Sequence, residues 1–204
     1  MLTFTESDLI NRGANRACYQ HPEDARRCIK VDLPEGQGTR RGLNQIEFEH
    51  YGKLADRLGE RLYRHAPRCH GFVETSLGPG LCFDRVLNAD GSPSVRINFF
   101  IKHHSRDLEQ VVQLVDRLHG FVRDAGVLLF DVNRHNLLVR VDAAGEPELI
   151  VIDWKGAQAL REWLPVSSLL PYFGRRKVAR RFARLREQSV AKFERTHGIS
   201  RRRP

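Results

Sequence analysis

The sequence predicts an α+β fold made of two small lobes, a β-rich N-terminal lobe (residues 1–88) and a minimal helical C-terminal lobe (residues 89–204). Three observations predict it. Over 204 residues, the hydrophobic fraction of 41% and the charged fraction of 29% are typical of a globular chain with a sizeable core. Apolar runs of strand length, with one helix, occupy the first part, and helical periodicity dominates the second. A strong loop signal, Asn88–Pro93, separates the two parts.

The N-terminal lobe is predicted to begin with short strands. Residues 9–31 contain apolar segments of strand length around turns at 11–16 and 21–24, and they end in the apolar strand Cys28–Val31. Pro34 and the glycines that follow it form a loop. The lobe therefore starts as a set of strands.

One helix and two more strands complete this lobe. The helix is expected over about residues 40–58. Its apolar face is formed by residues at helical spacing, namely Leu43, Tyr51, Leu54 and Leu58. Strands are expected at 69–75 and 81–87, joined by a turn at Gly78–Pro79–Gly80.

The C-terminal lobe is predicted to be helical around a two-stranded insert. A strand is expected at Val95–Ile101, and a helix from Asp107, with Gln110 completing a capping box variant. Apolar runs at 137–141 and 149–152 are the strands of the insert. Further on, we expect an apolar stretch from Trp163 to Phe173 and a basic helix whose narrow apolar stripe is Val178, Phe182 and Leu185.

The net charge of +9 is concentrated at the end of the chain. Residues 175–204 carry twelve Lys or Arg against two Glu, so the rest of the chain has a net charge of −1. The tail is expected to be a solvated helix that closes the C-terminal lobe. The alternatives are contact with an anionic membrane surface, together with the preceding apolar stretch, or with nucleic acid.

Other features of the sequence restrict its class. The apolar runs are too short for a transmembrane segment, and the N-terminus has no basic cluster or apolar core of a secretory signal. The four cysteines are at least ten residues apart, which argues against a zinc knuckle and favours structural thiols in a reducing cytoplasm.

Three short segments carry candidate chemistry. They are RCIKVD (27–32), with Lys30 in an apolar strand, LLFDVNRHNLLV (128–139), with Asp131 five residues before Asn136, and LIVIDWKGA (149–157), a buried strand that ends at Asp153. Taken alone, each segment has an ordinary explanation. Lys30 can point to solvent from an edge strand, Asp131 and Asn136 can bond to the backbone of a turn, and Asp153 can cap the end of a strand.

The order of these segments favours phosphoryl transfer. That reaction needs a cation over the nucleotide phosphates, oxygen ligands for Mg²⁺ and a carboxylate that accepts a hydroxyl proton. The hairpin between Asn136 and Asp153 is expected to bring both Mg²⁺ ligands to the same end of a two-stranded ribbon. Asp131 then stands in the loop as the candidate catalytic carboxylate.

Helical periodicity selects the partner of Lys30. The helix offers Glu47 and Glu49, and position 47 lies on the apolar stripe of that helix. Glu49 lies about 200° around the helix and faces solvent. Because a carboxylate on an apolar face is costly unless it is paired, we predict that Glu47 holds Lys30.

The set of motifs resembles the protein-kinase-like superfamily. The carriers are the lysine strand, the Asp131-x₄-Asn136 loop and the Asp153-x-x-Gly segment, in which Trp154 is more similar to aminoglycoside and choline kinases. The segments ANRACYQHPEDARRCIKV (14–31) and CHGFVET (69–75) resemble the YrbL family, the PhoP regulatory network proteins of Gram-negative bacteria. This resemblance covers most of residues 10–155 and implies a small bilobal protein-kinase-like fold in the bacterial cytoplasm.

Several positions depart from the superfamily pattern. Leu129 stands where these loops usually carry His, and Asn133 replaces a frequent lysine, which leaves Arg134 or His135 as alternative phosphate contacts. The nucleotide loop contains only Gly13 where kinases carry several glycines. These departures keep a second hypothesis open, a nucleotide-binding pseudokinase or regulatory protein.

Our leading hypothesis is an ATP–Mg²⁺-dependent phosphotransferase, with ATP bound between the lobes. Lys30, braced by Glu47, and Gly13 would contact the nucleotide, Asn136 and Asp153 would hold Mg²⁺, and Asp131 would deprotonate the acceptor hydroxyl. The short C-terminal lobe favours a small molecule or a lipid-linked sugar over a protein as acceptor. A third hypothesis is an adaptor that works through the basic tail.

Overall fold

A computed structural model of the chain describes residues 1–34, 36–38, 42–105, 107–154 and 171–199, and the side chains of Pro171 and Tyr172 are not described. The chain forms two compact units, Met1–Leu87 and Asn88–Pro204. Both helices and strands are present, and the predicted α+β class is confirmed. No helix among the described residues is long and apolar enough to span a membrane.

The first unit is built on a five-stranded antiparallel sheet. Its strands, in spatial order β1-β2-β3-β5-β4, are β1 (Leu9–Arg12), β2 (Arg16–His21), β3 (Asp24–Asp32), β5 (Gly78–Asp84) and β4 (Cys69–Thr75). Short 3₁₀ helices occupy Glu6–Asp8 and Gly59–Arg64, and helix α1 runs from Leu43 to Leu58. The central strand is β3, which carries Lys30.

The two faces of β3 have different neighbours. Ile29 and Val31 are buried with Cys82 of β5, under the partly buried side chains of Leu2, Phe4, Tyr19 and Val73. Lys30 is on the opposite face, as side chains alternate along a strand. Helix α1 covers that face through Tyr51, whose ring lies 5.7 Å from the ring of Phe83 of β5.

The turn between β4 and β5 differs from the prediction. The chain reverses at Ser76–Leu77, where Thr75 Oγ1 accepts a hydrogen bond from Leu77 N at 3.2 Å, and β5 already begins at Gly78. The predicted turn at Gly78–Pro79–Gly80 is therefore wrong. Gly80 is needed for packing instead, because a Cβ at this position would overlap with Ile29 Cγ2.

The second unit combines helices with a three-stranded antiparallel sheet of order β6-β7-β8. The strands are β6 (Val95–Arg96), β7 (Leu137–Val141) and β8 (Pro147–Val151), and the helices are α2 (Ile97–His103), α3 (Leu108–Asp124) and α4 (Pro171–His197). The predicted stretch from Trp163 lies mostly outside the described residues, as does Gly156.

Two local predictions for this unit need correction. The strand expected at Val95–Ile101 is wrong, because only Val95 and Arg96 pair with β7 and the chain then enters α2. Ile97, Phe100 and Ile101 are spaced for one helix face, and all three are buried. At the start of α3, Asp107 caps the helix by accepting from Glu109 N at 2.9 Å, whereas Gln110 contacts the Ser105 hydroxyl instead of completing a box.

Helix α4 packs against α3 and α2. The predicted stripe of Val178, Phe182 and Leu185 is buried, and Phe193 extends it by two turns. Phe182 also stacks on His119 of α3, with ring centroids 4.6 Å apart. The basic helix is therefore a structural part of the second unit.

Candidate functional site

Lys30 lies in the middle of the sheet of the first unit. In register it is opposite Cys18 of β2 and Leu81 of β5, so it does not lie on an edge strand. Its Nζ is 2.7 Å from Glu47 Oε1 and 4.2 Å from the centre of the Phe83 ring. An ion pair and a cation–π contact thus hold the ammonium on the face covered by α1.

Glu47 is fully buried and bonds to two cations. Its second oxygen, Oε2, accepts a hydrogen bond from Arg16 Nη1, and the Arg16 side chain is only 11% exposed. Burial alone would raise the pKa of Glu47, but the positive charges of Lys30 and Arg16 and their hydrogen bonds lower it from 4.5 to about 2. The carboxylate therefore stays ionised at neutral pH.

Asn44 links the same network to the backbone. Its Nδ2 donates to the carbonyl oxygen of Lys30 at 2.7 Å, and its Oδ1 accepts from Arg16 Nη1 at 3.1 Å. Asn44 and Glu47 are three residues apart and share one face of α1. Neither Asn44 nor Arg16 was predicted from the sequence, although the helical spacing that identified Glu47 also places Asn44 on that face.

Gly13 occupies the turn between β1 and β2. Its amide donates to the carbonyl oxygen of Arg16 at 2.8 Å, which closes the turn. A Cβ at this position would meet only that oxygen, at an ordinary contact distance of 3.5 Å. Steric need therefore does not explain this glycine.

Two thiols lie on the same face as Lys30. Cys18 and Cys28 are diagonal neighbours across β2 and β3, since Cys18 pairs with Lys30 and Cys28 with Gln20. The hydrogen bond between the two thiols lowers the pKa of Cys18, and the charges of Lys30 and Arg16 act in the same direction. The same hydrogen bond and burial raise the pKa of Cys28.

In the second unit, the loop before β7 orients Asp131. Asn133 Nδ2 donates to Asp131 Oδ1 at 2.7 Å, and Asn136 Nδ2 donates to Asp131 Oδ2 at 3.1 Å. Asn133 also closes the loop, because its Oδ1 accepts from the amides of His135 and Asn136. Asn133, which the sequence marked only as the replacement of a frequent lysine, thus positions the carboxylate together with Asn136.

The β7–β8 hairpin brings Asn136 and Asp153 to one end. Leu137 pairs with Val151, and Ile152 N donates to the carbonyl oxygen of Asn136 at 3.0 Å. Asp153 follows directly and is 9% exposed. The buried Trp154 fixes the next turn, since its Nε1 donates to the carbonyl oxygen of Val151 at 2.8 Å.

The donor set at this end of the hairpin fits Mg²⁺. With Nδ2 directed at Asp131, the amide of Asn136 presents its carbonyl oxygen on the other side, and Asp153 supplies a carboxylate. Oxygen ligands of this type are those that Mg²⁺ prefers, usually one or two from the protein with phosphate and water completing the shell. Among the described residues, no group of three or more His, Cys, Asp or Glu is arranged as a metal site.

The predicted site residues form two groups. Lys30 and Glu47 are in contact in the first unit, and Gly13 bonds to the backbone of Arg16, which also contacts Glu47, while Asp131, Asn136 and Asp153 lie in the second unit. The first group offers the ammonium of Lys30, held by Glu47. The second offers the oriented carboxylate of Asp131 and the side-chain oxygens of Asn136 and Asp153.

Comparison with known proteins identifies the family. The family model described as PhoP regulatory network protein YrbL matches residues 2–190. The chain belongs to the YrbL family. The YrbL proteins of Escherichia coli (strain K12) and Shigella flexneri are each 31% identical over 162 residues, which are 78% of this chain and 76% of theirs. The resemblance predicted from residues 14–31 and 69–75 is confirmed.

Among solved structures, the YrbL family chain is similar to protein kinase domains. Two variants of the Mycobacterium tuberculosis PknI kinase domain have 16% and 15% identity and TM-scores of 0.42 and 0.44. The matches cover 72% of this chain but only 57% and 56% of the kinase domains, so the chain spans little more than half of their length. At this identity the likeness concerns the fold alone.

Proposed function

We propose that this YrbL family protein is an ATP–Mg²⁺-dependent phosphotransferase that acts on a hydroxyl acceptor in the bacterial cytoplasm. The observation that carries the proposal is the arrangement of Asp131, Asn136 and Asp153 in the second unit. Asp131 accepts from Asn136, and a backbone hydrogen bond holds Asn136 next to Ile152, which Asp153 follows, so the candidate proton acceptor and both candidate Mg²⁺ ligands come from one end of the hairpin. The buried Lys30–Glu47 pair supports it, because it offers a held cation for the nucleotide phosphates.

Each residue has a defined part in the proposed reaction. Lys30, held forward by Glu47, would bind the α- and β-phosphates, and Asn136 with Asp153 would hold Mg²⁺. When bound, Mg²⁺ neutralises charge on the β- and γ-phosphates. Asp131 would take the proton of the acceptor hydroxyl while the acceptor oxygen bonds to the γ-phosphorus and the β–γ bridging P–O bond breaks, which releases ADP.

The experiment measures thermal stabilisation and ADP release with Mg²⁺–ATP. We expect wild-type chain to be stabilised by Mg²⁺–ATP and to release ADP when an acceptor is supplied. Asp131→Asn should lower turnover by roughly 10²–10⁴-fold, the typical contribution of a general base, with nucleotide binding retained. Asp153→Asn should lose the Mg²⁺-dependent part of the stabilisation. Asp124→Asn, an exposed carboxylate at the end of α3, is the matched control.

The alternative is a nucleotide-binding regulatory protein of a PhoP-type network. Its specific support is the Asp131 carboxylate, both of whose oxygens accept from side-chain amides, and Asn133 in the position of a frequent lysine. This alternative predicts nucleotide binding without turnover, and no effect of Asp131→Asn on ADP release. Failure of wild-type chain to bind nucleotide under any condition would exclude both functions.

A further inference from the structure

An open surface cavity of about 510 Å³ lies on the second unit, at the end of helix α4. Its lining includes Arg134, Gln188, Glu194, Arg195 and Ile199. The volume falls in the range of small-molecule sites, which is roughly 300–1,000 Å³. Two guanidinium groups, one carboxylate and one carboxamide line the cavity with one net positive charge, beside apolar surface that includes Ala191 and Ile199.

Fixed elements support both arginines. Arg134 Nη1 donates to Asn98 Oδ1 of α2 at 3.2 Å, and Arg195 Nε donates to the carbonyl oxygen of Ala191 at 3.1 Å. The end of α4 is joined to α2 through His197 Nε2, 3.4 Å from the carbonyl oxygen of Ile101. A guanidinium carries five N–H donors, so each arginine keeps donors for a ligand beside these bonds.

One residue that lines the cavity, Arg134, is close in sequence to the proposed catalytic carboxylate of Asp131. Arg134 follows Asp131 by three residues, in a loop that Asn133 folds back on itself. Three residues span at most about 11 Å even when fully extended. Arg134 and Asp131 therefore belong to one loop, and a ligand that binds Arg134 lies on the loop that carries the proposed catalytic carboxylate.

We propose that this cavity binds the phosphate acceptor, and that the acceptor is a hydroxylated small molecule with a phosphate or carboxylate group. Arginine pairs bind such anions through bidentate, charge-assisted hydrogen bonds. Gln188 and Glu194 supply a carboxamide and a carboxylate that suit the hydroxyl groups of the same ligand. The assignment of this ligand as acceptor rests on the proposed function, while its binding does not.

The test uses glycerol 3-phosphate as the probe and glycerol as the uncharged comparison. Binding is followed by the Nε–Hε resonances of arginine in ¹⁵N-labelled full-length chain, without nucleotide. We expect glycerol 3-phosphate to shift these resonances saturably in the millimolar range, and glycerol not to do so. Arg134→Gln and Arg195→Gln should each weaken binding by roughly tenfold or more, because each removes a hydrogen bond to a charged group.

Arg184→Gln is the matched control, since it removes the same charge from an exposed position of α4 that does not line the cavity. If Arg134→Gln fails to fold, the exposed Arg195→Gln still carries the test. No saturable shift in wild-type chain, or equal weakening by Arg184→Gln and Arg195→Gln, would overturn the proposal.

A second measurement separates this proposal from the proposed function. If wild-type chain binds Mg²⁺–ATP but glycerol 3-phosphate does not bind the cavity, only the acceptor assignment is lost. If glycerol 3-phosphate binds through Arg134 and Arg195 and the chain binds no nucleotide, the anion site is supported and its role as acceptor site is overturned.

Discussion

Glu47 is a single buried carboxylate that contacts two cations from other elements, Lys30 of β3 and Arg16 at the start of β2. Neither cation is exposed by more than about one eighth, at 12% and 11%. Because the interior solvates charge poorly, the three residues depend on one another. At the residue scale, removal of the negative charge of Glu47 should strongly lower the stability of the first unit.

Glu47→Gln is expected to lower the free energy of unfolding by about 3–5 kcal/mol, the typical cost of removing one partner of a buried ion pair. Urea unfolding monitored by circular dichroism measures it. Glu49→Gln, two residues along the same helix, is the control, because Glu49 is exposed and contacts Gln45. A similar loss in both variants would mean that burial of Glu47 is not the cause.

The pKa of Glu47 also predicts how stability depends on pH. Its folded-state pKa of about 2 lies below the ordinary value of 4.5, so the unfolded chain binds a proton more readily. The stabilisation is complete above about pH 4.5 and is lost as the pH falls towards 2. We expect the difference in unfolding free energy between wild-type chain and Glu47→Gln to shrink over this interval. Urea titrations across it measure the difference, and a constant difference would contradict the assignment.

At the scale of elements, β3 and β5 pack so closely that one position admits no side chain. Gly80 of β5 pairs with Val31 of β3, and an added Cβ would overlap with Cγ2 of the diagonal neighbour Ile29 and lie 3.2 Å from Thr75 Cγ2. In contrast, Gly52 lies inside α1 with no atom within 4 Å of a Cβ. The two glycines therefore make a matched pair with opposite expectations.

We expect Gly80→Ala to destabilise the chain by about 1–3 kcal/mol, as overpacking does in cores. Gly52→Ala should stabilise it by about 0.5–1 kcal/mol, because alanine loses less backbone freedom in a helix. Thermal and urea unfolding of both variants measure the effects. If Gly80→Ala were neutral, the close approach of β3 and β5 at this position would be disproved.

Helix α4 has a buried apolar side and an exposed basic side. One side buries Val178, Phe182 and Leu185 against the rest of the second unit. Burial of a large apolar side chain contributes roughly 1.5–3 kcal/mol to stability. Removal of the helix would therefore destabilise the second unit as well as remove the positive charges. For this reason, tests of the basic tail need charge substitutions in place of truncation.

At the scale of the whole molecule, the net charge of +9 is unevenly distributed, because residues 1–174 carry −1. Arg180, Arg181 and Arg184 are exposed on α4. For this surface the sequence leaves open a solvated helix, contact with nucleic acid or contact with an anionic membrane, and the membrane alternative is tested here by charge substitution. Each basic residue near such a surface contributes about 1 kcal/mol, so the triple substitution to Gln should weaken binding to phosphatidylserine vesicles roughly 100-fold.

Vesicle sedimentation at fixed salt measures that change, and the melting temperature should stay the same because the substituted side chains are exposed. The control is the triple substitution to Gln of Arg26, Arg57 and Arg61, which are exposed in the first unit. Equal weakening by both triple variants would show that net charge, and not the surface of α4, governs binding.

The elements that the sequence predicted well are those with a local signal. The stripe of α1 and the β7–β8 hairpin follow from periodicities of a few residues, and so do the positions of Glu47, Asn136 and Asp153. The prediction was wrong where a segment fits both a strand and a helix. Val95–Ile101 is apolar enough for a strand, but Ile97, Phe100 and Ile101 form the buried face of a helix.

The sequence by itself determined the α+β class, the family and the residue types of the candidate chemistry, because strand and helix periods and the motifs are encoded within short segments. Only the tertiary structure decided that Arg16 shares Glu47 with Lys30, and that Arg134 and Arg195 line one cavity. These pairs are 31 and 61 residues apart. Their contacts arise from the packing of whole elements, about which a local pattern carries no information.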